Sequence, residues 1–415
     1  MDFRKFGKFF LSDKVFISII AIFIITMAIV TCYRGGKDIK VGLYGVEQML
    51  QRHSPYDNPT DPNRPIFRYA PGFTILQAPF LLTSKMTAPF EFEHIIPSVF
   101  TWYLASVVAF FLSLLLILKL IPAESAEKAM RNLKISVYMA LPLIAYELSN
   151  SQNKLIALAF VLLAVYMFER NRNFLSAIFL CVALTIYIPL FFFVFYFIFR
   201  SRGKYIASFI LGAILIFLAI PSIIWGISYN NFLLKDWFMR CLKPFFMTTS
   251  YNTYMELRPS SQSLPSAVGR IFVWGQTTPY KYLISPEAIH IMIRVLSGSI
   301  FIISILTVWR KMKPRLTGLS YAVFLPLALI TPSYCIWYTW AYLFVIYYAA
   351  LNYLSCRDIS AKDKKILKAA LVILFISSYS IAIMPLNTIS VMFFGTLFFW
   401  ATAAYVIIKN EMVKS

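Results

Sequence analysis

Charge is scarce in this chain, and acidic charge scarcer still: 14% of its 415 residues are Asp, Glu, Lys or Arg, with 18 acids against 39 bases. A soluble domain carries about a quarter charged residues, so a water-soluble fold is excluded. Paired cysteines are missing as well. Cys32, Cys181, Cys241, Cys335 and Cys356 form no Cys-x-x-Cys unit and no metal-ligand spacing, which removes a zinc site and a disulfide framework and leaves them as small apolar fillers. No glycine-rich loop of the Walker or Rossmann type occurs, so the usual cradle for ATP or a nucleotide sugar is absent. No A-x-A cleavage site follows the basic N-terminal stretch, and the apolar run from Val15 to about Thr31 reads as a retained first transmembrane helix rather than a signal peptide.

What the chain does have is apolar length. It is 60% hydrophobic, with a mean hydropathy of +0.71. Runs recur at about Val15–Cys32, Pro97–Leu118, Ile135–Leu148, Leu155–Phe168, Phe174–Tyr187, Ile188–Phe199, Tyr205–Gly226, Ala288–Trp309, Leu316–Ile330, Trp337–Leu354, Ile366–Met384 and Thr388–Ile408. These predict an all-α polytopic membrane protein of about 12 transmembrane helices, a single integral membrane domain over residues 1–415. Several runs fall short of the roughly 20 residues a straight span needs, so some helices must be broken or half-spanning.

The net charge of +21 lies in short clusters between the runs rather than in one stripe, so it marks topology and not nucleic-acid binding. The clusters near Lys5, Lys128, Arg170, Arg202, Lys311 and Lys364 fall on one side if every run crosses. By the positive-inside rule that side is cytoplasmic, with both termini there, in an inner membrane. The alternation requires Phe174–Phe199 to be a hairpin turning near Tyr187 and Pro189. Two long loops, residues 33–96 and 227–287, then face outward. Most acids and all three histidines, His53, His94 and His290, lie in these loops or at the outer ends of spans. Chemistry on that face needs a donor delivered by lipid.

The first outer loop is the densest polar segment: GGKDIKVGLYGVEQMLQRHSPYDNPTDPNRPIFRYAPGF. Val41, Leu43 or Tyr44, Val46, and Met49 or Leu50 recur at helical spacing, which predicts a short helix on the membrane surface, with Tyr69 and Pro71 leading the chain back into the bilayer.

Asp38, then Ser54-Pro55-Tyr56-Asp57, Phe67-Arg68-Tyr69-Ala70-Pro71 and Ala78-Pro79 resemble the first outer loop of glycosyltransferase family 87, a GT-C-type group. Ser151-Gln152-Asn153 is similar to its G-Q-x-N turn, and Ser261-Gln262-Ser263-Leu264 followed by Arg270 to its N-Q-S-L-then-Arg motif. The chain departs from the family at Tyr187-Ile188-Pro189, where a lysine is expected, and at Thr331-Pro332-Ser333-Tyr334, where the family tends to S-P-x-x-W. The resemblance implies a GT-C-type fold and an inverting transferase that moves a hexose, mannose first, from a polyprenyl-phosphate donor to a lipid-linked or glycan acceptor. The implied substrate-binding set is Tyr56, Asp57, Tyr69, Gln152, Asn153, Gln262 and Arg270, joined by Arg294 for its charge inside the apolar run Ile289–Val308, with loop 33–96 catalytic and loop 227–287 substrate-binding.

Inverting transfer needs one carboxylate to take the acceptor proton and cations to stabilise the departing phosphate. Asp38, a few residues past the first helix, is the expected base; the alternative is a solvated side chain between Lys37 and Lys40. Asp57 reads equally as a turn cap before Asn58-Pro59. Glu91, Glu93 and His94 form an acidic cluster that reads either as a metal or sugar contact or as a solvated loop edge; no cofactor is expected, and a divalent metal is left open. Arg270 and Arg294 are the phosphate candidates because a guanidinium engages two oxygens at once, with Lys154 a third, and Arg294 has a bland alternative in snorkelling. Tyr69, Trp274, Trp337 and Trp340 are candidates to stack on a sugar, against interfacial or core packing. A transporter or flippase of lipid-linked sugars is the rival class, but paired, similarly interrupted halves are not found.

Overall fold

The computed structural model describes residues 13–56, 67–81, 92–243, 257, 259–274, 281–309, 314–332, 335–356, 359–380 and 383–412. Asp57, Asp61, Glu91, Ser333 and Tyr334 lie outside them. The described chain is almost wholly helical, and its one strand ladder pairs Val273–Trp274 with Lys281–Tyr282. It is a multi-pass membrane protein. Among the described residues, five helices are long and apolar enough to cross a bilayer: Lys14–Arg34 (α1), Pro97–Leu120, Tyr205–Trp225, Pro286–Leu306 and Val391–Asn410. Ala126–Ser149 (α5) and Lys154–Glu169 (α6) pass together as a sixth, bent by 117° at the break. Asn173–Ile186, Ile188–Arg200 and Leu316–Ile330 are apolar but shorter. The sequence runs thus break into pieces. Pro71–Leu81 (α3) has 11 residues, and α5 begins with Lys128, Arg131 and Lys134, so neither spans alone.

The chain packs as two compact units. The first comprises Met1–Leu116, Ile144–Ile188 and Lys204–Phe246. In it α1 carries most of its apolar side chains outward, with Ile22, Ile25 and Ile29 exposed. Its C-terminal end is tied down: Thr31 donates to the Leu148 carbonyl at 2.9 Å and Arg34 to the Ser149 hydroxyl at 3.2 Å. Gly35 and Gly36 then take left-handed φ of 65° and 54°, a conformation that costs side-chain-bearing residues about 1–2 kcal/mol. This elbow starts Lys37–Leu50 (α2), a helix where the spacing predicts one. Its buried face is Ile39, Leu43, Tyr44, Val46 and Met49, while Leu50 is exposed. At Gly42 there is no room for a side chain, since a Cβ would lie 1.8 Å from Gln77 Oε1 of α3. Tyr56, Phe67, Tyr69 and Phe73 continue as a run of touching rings with centroids 4.6–5.5 Å apart. The Ala70 amide donates to the Thr185 carbonyl at the end of Asn173–Ile186 (α7). Pro71 opens α3, so the chain turns inward where the sequence places the turn.

The second unit comprises Ile117–Leu143, Pro189–Gly203 and Met247–Ser415. Its core is built on Pro314–Ile330 and Leu343–Ser355 (α14), whose side chains from Leu319 to Tyr348 are buried in both helices almost throughout. Ala361–Tyr379 (α15) lies against Val391–Met412. Asn132 donates to Asn352 Oδ1 and to Ser355 Oγ, both at 3.1 Å, satisfying polar groups that burial would otherwise leave costly.

Candidate functional site

Asp38 sits in the first turn of α2, where an acid is favoured by the helix dipole. The elbow and the Thr31 and Arg34 ties carry it to the end of α5. There its charge acts on Tyr69, Tyr146 and Glu147. Burial first, and the Asp38 charge next, hold the Tyr69 phenol above its usual range against an opposing hydrogen bond with Asn153. Tyr69 is therefore a neutral hydrogen-bonding group at any ordinary pH.

The turn from Ser149 to Asn153, where the bent pair breaks, is the centre of the site. Glu147 is fully buried, and its Oε1 accepts the backbone amides of Lys154 at 2.7 Å and Leu155 at 3.1 Å. One carboxylate thus caps the first turn of α6 from seven residues upstream. Ser151 takes a left-handed φ of 52°. Lys154 is 7% exposed. Its ammonium donates to Asn153 Oδ1 at 3.1 Å and lies 4.5 Å from the Tyr187 ring centre and 5.6 Å from that of Tyr69. Two aromatic faces and the Asn153 amide oxygen hold this cation in place, while Glu147 fixes its backbone.

Buried polar atoms are nearly always satisfied, so those left over mark where a ligand or water belongs. Glu147 Oε2, Ser151 Oγ and Gln152 Nε2 have no hydrogen-bond partner among the described residues; two belong to this turn and the third to the last turn of α5 that leads into it. Of the residues expected from the sequence, Asp38, Tyr69, Gln152 and Asn153 meet here. Tyr56 stands apart as a tie: its hydroxyl donates to the Tyr69 carbonyl at 2.8 Å. The faces of Tyr69 are already engaged by Phe67, Phe73 and Lys154. Trp340 is fully buried in the second unit.

Gln262 and Arg270 belong to a separate network in the second unit. Gln262 Nε2 donates to the carbonyls of Pro259 at 2.7 Å and Asn387 at 2.9 Å. Ser263 caps Leu264–Phe272 through the Ser266 amide. Arg270 reaches the Ser261 carbonyl at 2.8 Å and the Ser390 hydroxyl at 2.6 Å, and burial pushes its guanidinium down to about 10. Arg294 is exposed on Pro286–Leu306 between exposed Ile291 and Val295. Among the described residues no group of three or more His, Cys, Asp or Glu is placed to hold a metal.

Sequence reasoning took Tyr187 as a hairpin turn and a departure from the family motif, and gave Glu147 no role beyond that of an acid at the outer end of a span. The available signal was an acid inside an apolar run, followed seven residues later by a lysine across a Ser-Asn-Ser-Gln-Asn turn.

A carboxylate and a caged cation joined at a break between apolar helices define a polar centre built into a membrane protein. The model of glycosyltransferase family 87 matches residues 67–322, well over half of the chain, and the chain belongs to that family. It is a membrane glycosyltransferase. No curated protein sequence matches it. Asp38 and Tyr56 lie upstream of the matched stretch, whereas Tyr69, Glu147, Gln152, Asn153 and Lys154 lie within it.

Proposed function

We propose that this glycosyltransferase moves a hexose, mannose first among candidates, from a polyprenyl-phosphate donor to a hydroxyl of a lipid-linked or glycan acceptor, with inversion, at the extracytoplasmic face of the inner membrane. The observation that carries the reading is the juxtaposition of Asp38, Glu147 and caged Lys154 around a turn rich in unsatisfied polar atoms. The acceptor oxygen attacks the anomeric carbon, the carbon–oxygen bond to phosphate breaks with its electron pair on the phosphate, and the acceptor proton passes to Asp38. Lys154 offsets the charge gathering on the departing phosphate. Glu147 fixes Lys154 by holding its backbone. In this role Lys154 takes precedence over Arg270 and Arg294, because it shares the unit of Asp38, while Arg270 already serves Ser261 and Ser390. Gln262 and Asp57 remain proposed substrate contacts from the family resemblance and Arg294 from its charge within an apolar helix, with Arg270 the runner-up for the phosphate; the GT-C-type arrangement is proposed from the resemblance, and a topology with both termini cytoplasmic from the basic clusters.

The test is release of polyprenyl phosphate from a polyprenyl-phosphate-mannose donor by purified enzyme in lipid. Asp38→Asn keeps shape but removes the proton acceptor, so turnover should fall by about 100-fold or more, with donor binding retained. Near-normal transfer by Asp38→Asn would remove the base assignment. Sugar movement without polyprenyl phosphate release would point to a flippase.

A further inference from the structure

At the N-terminal end of α15, a groove of about 530 Å³ is lined by Leu351 and Leu354 of α14 and by Lys364, Lys365, Lys368, Leu371 and Val372 of α15. Its floor is apolar and its rim carries three lysines. Four lysines, with Lys362, crowd the first two turns of this helix, where the helix dipole disfavours positive charge. The acid among them does not neutralise them. Asp363 is buried, caps with Ser360, and is paired inward with Lys409 at 2.7 Å and Asn410 at 3.3 Å. Beyond the lysines the same face of α15 continues as exposed Val372, Ile373, Ile376 and Tyr379, a stripe at three- and four-residue spacing suited to lipid.

We propose that this groove binds one anionic phospholipid. The headgroup phosphate sits among Lys364, Lys365 and Lys368, and an acyl chain runs over Leu371 and Val372 along the exposed stripe. Charge complementarity selects the occupant: an anion relieves the lysine crowding, and the apolar floor and stripe require that it bring a hydrocarbon tail. A free phosphate satisfies only the first demand, and a zwitterionic lipid adds a cation of its own. The site lies apart in the sequence from every residue of the transfer centre, so transfer activity and lipid retention are separate measurements.

The experiment is native mass spectrometry of the full chain released from bilayers of equal phosphatidylglycerol and phosphatidylcholine. Phosphatidylglycerol should be retained over phosphatidylcholine by about tenfold or more, since each lysine near an anionic lipid favours binding by roughly fivefold. The triple variant Lys364→Gln, Lys365→Gln, Lys368→Gln should approach parity, with its melting temperature in phosphatidylcholine alone unchanged. A control triple, Lys119→Gln, Lys128→Gln, Lys134→Gln, should keep the preference. If the first triple variant does not fold, Lys368→Gln alone, at an exposed position, should lower the preference by roughly fivefold. Unchanged retention in the groove variants, equal loss in the control, or displacement of the lipid by inorganic phosphate would each overturn the proposal.

Discussion

Two polar knots in this protein, both buried, are finished differently. Around Arg270 the donors find acceptors within the fold: the guanidinium bonds Ser261 and Ser390, and the Ser266 hydroxyl bonds those of Ser261 and Ser263 at 2.7 and 3.0 Å. Gln262 Oε1 is left over even here. Around the Ser149–Asn153 turn, a carboxyl oxygen, a hydroxyl and an amide nitrogen stay unsatisfied beside the buried Lys154. An unmade hydrogen bond costs about 1–3 kcal/mol when buried. Under the proposed function the three left near one turn are available to a bound substrate, so that the Lys154 turn receives the donor and the Arg270 knot holds structure together.

Substitutions should separate the two. The largest effect is expected at Lys154→Met, which keeps the aliphatic stem between Tyr69 and Tyr187 but removes the charge; polyprenyl phosphate release should fall about 100-fold or more, with the protein still folded. Full activity in Lys154→Met would erase the distinction. Arg270→Ala should act on the fold instead, lowering stability by roughly 2 kcal/mol through lost charge-assisted bonds, read as a drop in melting temperature, while donor affinity of the folded fraction changes little. A stable Arg270→Ala protein with lost donor affinity would return the phosphate to the second unit. Ser151→Gly should give the smallest change, a gain of about 1 kcal/mol, because glycine takes the left-handed φ at no steric cost; its melting temperature sharpens how much strain the turn stores.

Much of this was legible in the chain. The amphipathic spacing from Val41 to Met49 marks α2, because apolar side chains three and four residues apart share one helix face, and Pro71 marks the start of α3 because proline suits a first helical turn. Asp38 is legible as an acid just past a span, and Gln152-Asn153 as a turn motif. The span count is not legible in the same way: hydropathy measures apolar content, whereas crossing also needs unbroken length. Glu147 and Lys154 escaped notice as a pair because their meeting depends on a 117° bend that no local pattern encodes. Tyr187 looked like a missing lysine, and the structure shows why the gap is filled: a cation from another helix rests on its ring.

The elbow at Gly35-Gly36 makes α1 a depth gauge. Its 21 residues measure about 31 Å at the usual rise per residue, close to the thickness of a bilayer's hydrocarbon core. Since only two glycines separate that gauge from α2, the height of Asp38 above the lipid tails is fixed by the length of α1 and by the bilayer it stands in. Removing one turn of α1 would draw the carboxylate toward the tails by about 5 Å, and a thicker membrane would do the same without altering a single residue.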